Sequence, residues 1–256
     1  MYLSRVNAHV RDASIRFYAS YEGKSHVYII DGVKTPPMSV TTIVKKQFEE
    51  FDADTVIEKY YKGWQRKPES KYYGLTKQQI KDMWERNRVD SSGLGTEMHD
   101  CIEKYLNGEL SNPPDTIEFK YFMNFWKDIQ SSKPDYRIYR TEWIVYNDKK
   151  TIAGSIDAVL ETGNGELVIL DWKRSKEIKT EGFNGKMGKG WLSHMPDCNY
   201  SHYTLQLNCY KYLLESYYNK VVRGMYLVVL HPDNDNYILV KVETIPGIKK
   251  GGLEDL

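Results

Sequence analysis

Two aspartates and a lysine are the residues whose types and spacing most directly suggest chemistry. The run Glu166-Leu-Val-Ile-Leu-Asp-Trp-Lys173 reads as a strand. Alternation puts Leu167, Ile169, Asp171 and Lys173 on one face and Val168, Leu170 and Trp172 on the other. Residues 151–161 read as a second strand carrying Asp157 in Gly154-Ser-Ile-Asp157, and Thr162-Gly-Asn-Gly165 is a hairpin turn that lays the two strands side by side. Two carboxylates therefore converge near one ammonium. A lone Asp-x-Lys is ordinarily a surface ion pair on an edge strand, but here the flanking residues are apolar and the charged trio reads as buried. Carboxylates on a rigid sheet suit a hard divalent cation, and an adjacent lysine suits a transition state that gains negative charge. Together they describe phosphodiester hydrolysis by metal-activated water. Lys173 then positions or deprotonates the water and stabilises the phosphorane, with no covalent intermediate.

A helix from Gly93 supplies a further donor. Leu94, Met98, Cys101, Ile102, Tyr105 and Leu106 fall at helical spacing, and Asn107-Gly108 stops the run. Gly95, His99 and Glu103 form one stripe beside that apolar face. A histidine there is either a satisfied surface residue or a nitrogen ligand that widens metal preference from Mg²⁺ to Mn²⁺. Gly95 leaves space for a backbone or a nucleic-acid strand. Glu142, on the strand expected over residues 137–146, is a second-metal ligand, a support for one, or a solvated strand residue.

The elements that must position these groups are read as follows. Residues 14–21 and 26–31 form a hairpin across Glu22-Gly23-Lys24. After Pro36-Pro37, Ser39 caps a helix to about residue 48, and helices follow near 52–63 and 76–88, joined by the Lys-rich link 62–74. Pro113-Pro114 opens another helix to about 130. Strands at 137–146, 151–161 and 166–173, a long loop at 174–199, a helix at 200–218 and strands at 224–230 and 237–243 complete an α/β core, a mixed sheet flanked by helices. The expected organisation is one domain over 1–256, with a hairpin and helical extension at 1–90 and a catalytic core at 91–245.

With 256 residues, 41% of them hydrophobic, the chain is long enough for a sizeable core. Thirty-six Lys+Arg against 35 Asp+Glu give a net charge of +1, so a nucleic-acid partner must be met by a local patch. The loop after Lys173 offers one: Arg174, Lys176, Lys179, Lys186 and Lys189 outnumber Glu177 and Glu181 and are interleaved with Phe183 and Trp191. It is either a solvated loop or a groove wall whose aromatics stack unpaired bases, and Lys62 to Lys71 with Trp64 would form the opposite wall. Cys101, Cys198 and Cys209 make neither a disulfide framework nor a zinc or iron–sulfur ligand set, and no signal-peptide or membrane-span pattern is present. A soluble intracellular protein with no membrane partner is expected.

Four ordered blocks, Gly95-Thr-Glu-Met-His99-Asp-Cys-Ile-Glu103, Gly154-Ser-Ile-Asp157, Asp171-Trp-Lys173 and Gln206-Leu-Asn-Cys-Tyr210, resemble the GxxxHxxxE, GxxD, DxK and QxxxY motifs of RecB-type PD-(D/E)XK nucleases. The resemblance covers residues 93–232 and implies a restriction-endonuclease-like core. It also implies that His99, Asp157, Asp171 and the main-chain carbonyl of Trp172 bind one or two Mg²⁺ or Mn²⁺ ions. Lys173 would be the catalytic lysine, and Gln206 and Tyr210, one helical turn apart, would contact phosphate or orient Lys173. Asp157 follows Ile156 rather than proline, and the four cysteines of the iron–sulfur branch are missing, so no cluster is expected. The activity implied is a metal-dependent DNA nuclease, an exonuclease or flap-type enzyme on single-stranded, flapped or end-bearing DNA. The alternatives are an RNA endonuclease of the same fold and a catalytically silent nucleic-acid-binding protein. The runs Asp171 to Lys176 and Asn199 to Tyr203 are also similar to nucleases of large DNA viruses, which would place the protein in a host cytoplasm or nucleus.

Overall fold

A computed structural model describes residues 2–21, 24–32, 37–248 and 253. In chain order the elements are α1 (Leu3–Val6), β1 (Ile15–Tyr21), β2 (Lys24–Ile30), β3 (Met38–Ser39), α2 (Val40–Gln47), α3 (Ala53–Trp64), α4 (Lys77–Leu106), α5 (Ile117–Ser132), β4 (Arg137–Tyr146), β5 (Ile152–Glu161), β6 (Leu167–Lys173), α6 (Asn199–Tyr217), β7 (Val222–Val229) and β8 (Ile238–Lys241). Glu22, Gly23 and Pro36 lie outside the described residues. No helix among the described residues is long and apolar enough to cross a membrane.

The sheet has six strands in mixed orientation. β4 runs antiparallel along one edge of β5, and two strands share the other edge: β3, parallel at Met38–Ile152 and Ser39–Ala153, and β6, antiparallel from Glu161–Leu167 to Ala158–Leu170. β6 then pairs with β7 in parallel and β7 with β8 antiparallel. The turn is as the sequence indicates, with Gly165 at φ 77° and its N–H donating to the Thr162 carbonyl. Residues 154–157 of β5 therefore have β4 on one side and no strand on the other. The site is built around that opening.

Helices cover both faces. Val40, Ile43 and Val44 of α2 and Leu205, Cys209 and Leu213 of α6 pack with Ile156, Val159, Leu167 and Ile169 on one side. Met98, Ile102 and Leu106 of α4 and Phe119, Phe122 and Phe125 of α5 pack with Ala158, Leu160, Val168, Leu170 and Trp172 on the other. The alternation expected of β6 is thus the one found.

Three boundaries differ from the sequence reading. The two helices expected at 76–88 and from Gly93 are one helix, α4, whose start is fixed by a capping box between Thr76 and Gln79. Ser91, Ser92 and Gly93 do not break it, because its two ends are anchored by Ile80 and by Met98, Ile102 and Leu106. Pro113-Pro114 does not open α5; Thr116 does, accepting from the Phe119 N–H. β3 is too short to show a periodicity and exists only because Met38 and Ser39 lie against the free edge of β5. Ser39 also caps α2, as expected, accepting from the Thr42 N–H.

Candidate active site

The register that ends at Ala158–Leu170 places Asp157 and Asp171 on the next rung, where β5 and β6 part. In place of a ladder bond, the Trp172 N–H donates to Asp157 Oδ2 at 2.9 Å. Across the other edge, Glu142 falls opposite Asp157, between the pairs Thr141–Ala158 and Trp143–Ile156. Its φ of 43° lies in the left-handed region, an uncommon and costly conformation for a residue with a Cβ. One such residue reverses the in–out alternation: Thr141 accepts from Asn107, the residue that ends α4, whereas Trp143, two positions on, packs in the cluster on the α6 side. Ser155 Oγ–H holds the Glu142 carboxylate at 2.8 Å.

α4 delivers His99 to the same opening. His99 Nε2 lies 2.9 Å from the Trp172 carbonyl oxygen, which can only accept, so Nε2 carries the proton. In the neutral ring Nδ1 is then the bare nitrogen, and it stands 3.6 Å from Asp157 Oδ2. One ligand atom each from His99, Glu142 and Asp157 can lie within 4.8 Å of one another. The Trp172 carbonyl and His99 thus meet through a hydrogen bond that orients the ring.

Asp171, on the rung opposite Asp157, lies close enough to that trio to feel the charges of Asp157 and His99. It is 1% exposed, and Lys173 Nζ stands 2.6 Å from its Oδ2; apart from this ion pair, neither carboxylate oxygen has a hydrogen-bond partner. Burial pushes the Asp171 carboxyl up to about 6 against the pull of Lys173. Burial opposes the Lys173 ammonium, but Asp171 and Asp157 outweigh it and hold its pKa above the ordinary value. Tyr203 of α6 completes the cage, its ring 4.8 Å from Lys173 Nζ. Glu142 is pushed up to about 7, first by burial and then by the charge of Asp157. Half-buried Glu103, one turn beyond His99, is likewise raised, chiefly by burial.

α6 places Gln206 and Tyr210 together, with Gln206 Nε2 donating to the Tyr210 hydroxyl at 3.2 Å. Tyr210 is 2% exposed. Its ring accounts for the glycine of β5: a Cβ on Gly154 would stand 2.8 Å from Tyr210 Cε1 and 3.0 Å from Val40 Cγ2. The glycine of the GxxD block and the tyrosine of the QxxxY block are packing partners. Gly154→Ala is accordingly expected to cost about 1–3 kcal/mol, read as a lowered melting temperature in chelator, because the ring is wedged against α2 and cannot retreat. Gly95, by contrast, has open space around it.

The loop after β6 is compact. Met187 bridges Pro196, and a Cβ on Gly182 would collide with the Lys186 carbonyl. Arg174 is held by Glu118 at 2.7 Å, Lys176 by Asp233 at 2.7 Å, Lys186 by Glu49 at 2.5 Å and Lys179 loosely by Glu177 at 3.9 Å. Lys189 is exposed without an ion pair among the described residues, and Trp191 packs partly buried against the core. Most of the loop's positive charge is therefore locally balanced. Gly154 stands in the GxxD block and Tyr203 in the run Asn199 to Tyr203, and neither was assigned these contacts from sequence; for Gly154 no local signal exists, and for Tyr203 there is one. The signal was helical spacing: Tyr203, Gln206 and Tyr210 share one face of α6.

A six-stranded mixed sheet covered on both faces, with an acidic, histidine-bearing opening beside an Asp-x-Lys strand, defines a nuclease-type α/β fold. The family model for the PD-(D/E)XK nuclease superfamily matches residues 54–247, and the chain belongs to that superfamily. Its members act on nucleic acids and use divalent metal ions. No curated protein matches the chain in sequence. Among solved structures the chain is similar to the one titled "Crystal structure of SSO0001", at 14% identity and a TM-score of 0.35 over 86% of this chain and 73% of that one.

Proposed function

We propose that the chain is a RecB-like, divalent-metal-dependent nuclease that hydrolyses DNA phosphodiester bonds, as an exonuclease or flap-type enzyme on single-stranded or end-bearing DNA. The observation that carries this reading is the meeting of His99, Glu142 and Asp157 within 4.8 Å, beside the Asp171–Lys173 pair of β6. The donor set fits Mg²⁺ or Mn²⁺: carboxylate oxygens with one imidazole nitrogen. Asp171 oxygens whose single partner is the Lys173 ammonium, and a Glu142 raised to about 7 beside Asp157, mark a site with more carboxylates than cations of its own.

His99, Asp157 and Asp171 would hold the metal, with the Trp172 carbonyl and Glu142 completing or supporting the set. A bound divalent ion activates water and neutralises charge on the phosphate. Lys173, an ammonium held between Asp171 and the Tyr203 ring, donates hydrogen bonds to the oxygens that gain charge in the transition state. Gln206 and Tyr210 brace this face of the sheet. Arg174, Lys176, Lys179, Lys186, Lys189 and Trp191 line the approach, and residues 1–256 act as one unit around the core at 91–245.

The test is a time course on 5′- and 3′-labelled single-stranded, duplex and flapped DNA and matched RNA, with Mg²⁺, Mn²⁺ or EDTA. Metal-dependent cleavage of DNA with an end-directed ladder is expected. Cleavage of the RNA alone would move the assignment to ribonuclease. No cleavage by folded protein would overturn it in favour of a silent nucleic-acid-binding protein.

A further inference from the structure

Six aromatic rings of the helical extension and the adjoining loop form a connected row that is not a core. Phe183 packs on Tyr60 with centroids 6.0 Å apart, Tyr60 on Trp64 at 6.0 Å, Trp64 on Trp84 at 6.1 Å and Trp84 on Phe51 at 5.6 Å. Tyr72 contacts Trp64 at 4.4 Å and Trp84 at 5.9 Å. None of the six is buried, and the rings at the two ends, Phe51 and Phe183, are 65% and 60% exposed. The buried residues of α3 and of the first half of α4 are Ile57 and Ile80. A run of contiguous rings left partly or largely open is the kind of apolar surface that marks an interaction site.

Charge says what the partner is. Over residues 59–77, which carry Tyr60, Trp64 and Tyr72, Lys59, Lys62, Arg66, Lys67, Lys71 and Lys77 stand against Glu69 alone. Lys77 is held by Glu58. The other five cations are exposed and make no ion pair among the described residues, unlike Arg174, Lys176 and Lys186 of the loop after β6. Rings that offer π-faces beside unneutralised cations suit a polyanion whose bases are free to stack; a duplex has already stacked its bases internally.

The extension that carries the row is also tied to the site. The Phe48 ring lies 4.1 Å from that of His202, the neighbour of Tyr203, whose own ring is 4.8 Å from Lys173 Nζ. Asn184 Nδ2 donates to the Tyr60 hydroxyl at 2.6 Å, and the Lys189 N–H donates to the Gln47 carbonyl at 2.8 Å. The extension is thus fastened to the loop that leaves Lys173 and enters α6.

We propose that this row holds the unpaired strand of a nucleic-acid substrate, with bases stacked on Phe51, Phe183 and the open faces between them and with phosphates along Lys59, Lys62, Arg66, Lys67 and Lys71. The proposal rests on the nucleic-acid reading above and goes beyond it, because it assigns selection of single strands to the helical extension rather than to the catalytic core. Stacking is indifferent to the sugar, so DNA and RNA strands are both accommodated here.

The experiment is fluorescence anisotropy of labelled oligo(dT), oligo(U) and a duplex of equal length, titrated with the full chain in EDTA so that nothing is cleaved. The paired replacement Phe51→Ser and Phe183→Ser is expected to weaken oligo(dT) and oligo(U) binding by about tenfold or more while duplex binding and melting temperature stay near wild type, since both rings are exposed. Replacing Lys62, Lys67 and Lys71 with Ser should flatten the salt dependence of oligo(dT) binding by about 2 in log–log slope. Unchanged oligo(dT) affinity in the ring variant, an equal loss on duplex, or no oligo(dT) binding by the wild type overturns the proposal. The two readings fail separately. A chain that binds oligo(dT) through the row yet cleaves nothing with Mg²⁺ or Mn²⁺ overturns the catalytic assignment alone, and a cleaving chain indifferent to the ring variant overturns this one alone.

Discussion

Lys173→Ala is expected to lower turnover by about 10²–10⁴-fold, the range spanned by loss of one positioned proton donor or one donor to a charge-developing oxygen. The geometry also predicts what happens to the fold. Lys173 Nζ stands 2.6 Å from Asp171 Oδ2, and Asp171 is 1% exposed, so the truncation leaves a buried carboxylate without its counter-ion. Breaking a buried pair from one side is strongly destabilising, and the carboxyl relieves the cost by taking a proton. The Lys173→Ala protein should therefore melt lower at pH 8 than at pH 6. Adding Asp171→Asn should recover the melting temperature at pH 8 while cleavage stays lost. That pattern separates a missing reactive group from a collapsed site. Substantial cleavage by the clean single variant would remove Lys173 from the mechanism.

Glu142→Gln carries the second large effect, and it appears without any substrate. In the folded, metal-free protein the Glu142 carboxyl is pushed from 4.5 up to about 7, by burial first and by Asp157 second. Between those two pH values the folded chain keeps a proton that the unfolded chain has released. Stability therefore falls as pH rises from about 4.5 to 7, and the cost is complete above 7. At 1.4 kcal/mol per unit, the shift amounts to about 3 kcal/mol. Glutamine removes the charge and can still accept from Ser155 Oγ, which lies 2.8 Å from Glu142 Oε2. In EDTA at pH 8, Glu142→Gln is expected to raise the melting temperature by several degrees, and at pH 4.5 or below to leave it nearly unchanged. Added Mn²⁺ should stabilise the wild type more than the variant, because a cation and the substitution relieve the same repulsion. Equal melting temperatures across the pH range would show that Glu142 carries no such strain.

Much of the site was legible in the sequence because it is local. Alternation along residues 167–173 settles that Asp171 and Lys173 share a face, helical spacing settles that His99 sits beside an apolar stripe, and Thr162-Gly-Asn-Gly165 settles that Asp157 and Asp171 lie on neighbouring strands. The single helix over 77–106 was less legible, since Ser91-Ser92-Gly93 weakens it locally and only packing at its two ends keeps it whole.

What the tertiary structure alone decided is how these pieces meet. Glu142 reaches Asp157 because its backbone takes a left-handed φ that reverses the alternation of β4, and nothing in the local pattern Thr141-Glu142-Trp143 announces that turn. Gly154 is required by a tyrosine 56 positions later in the chain, and Lys173 is caged by a tyrosine whose placement depends on how α6 crosses the sheet. Periodicity reports which face of an element is apolar. Register, strand parting and ring contacts between distant segments are set by the packing of the whole, which no window of sequence contains.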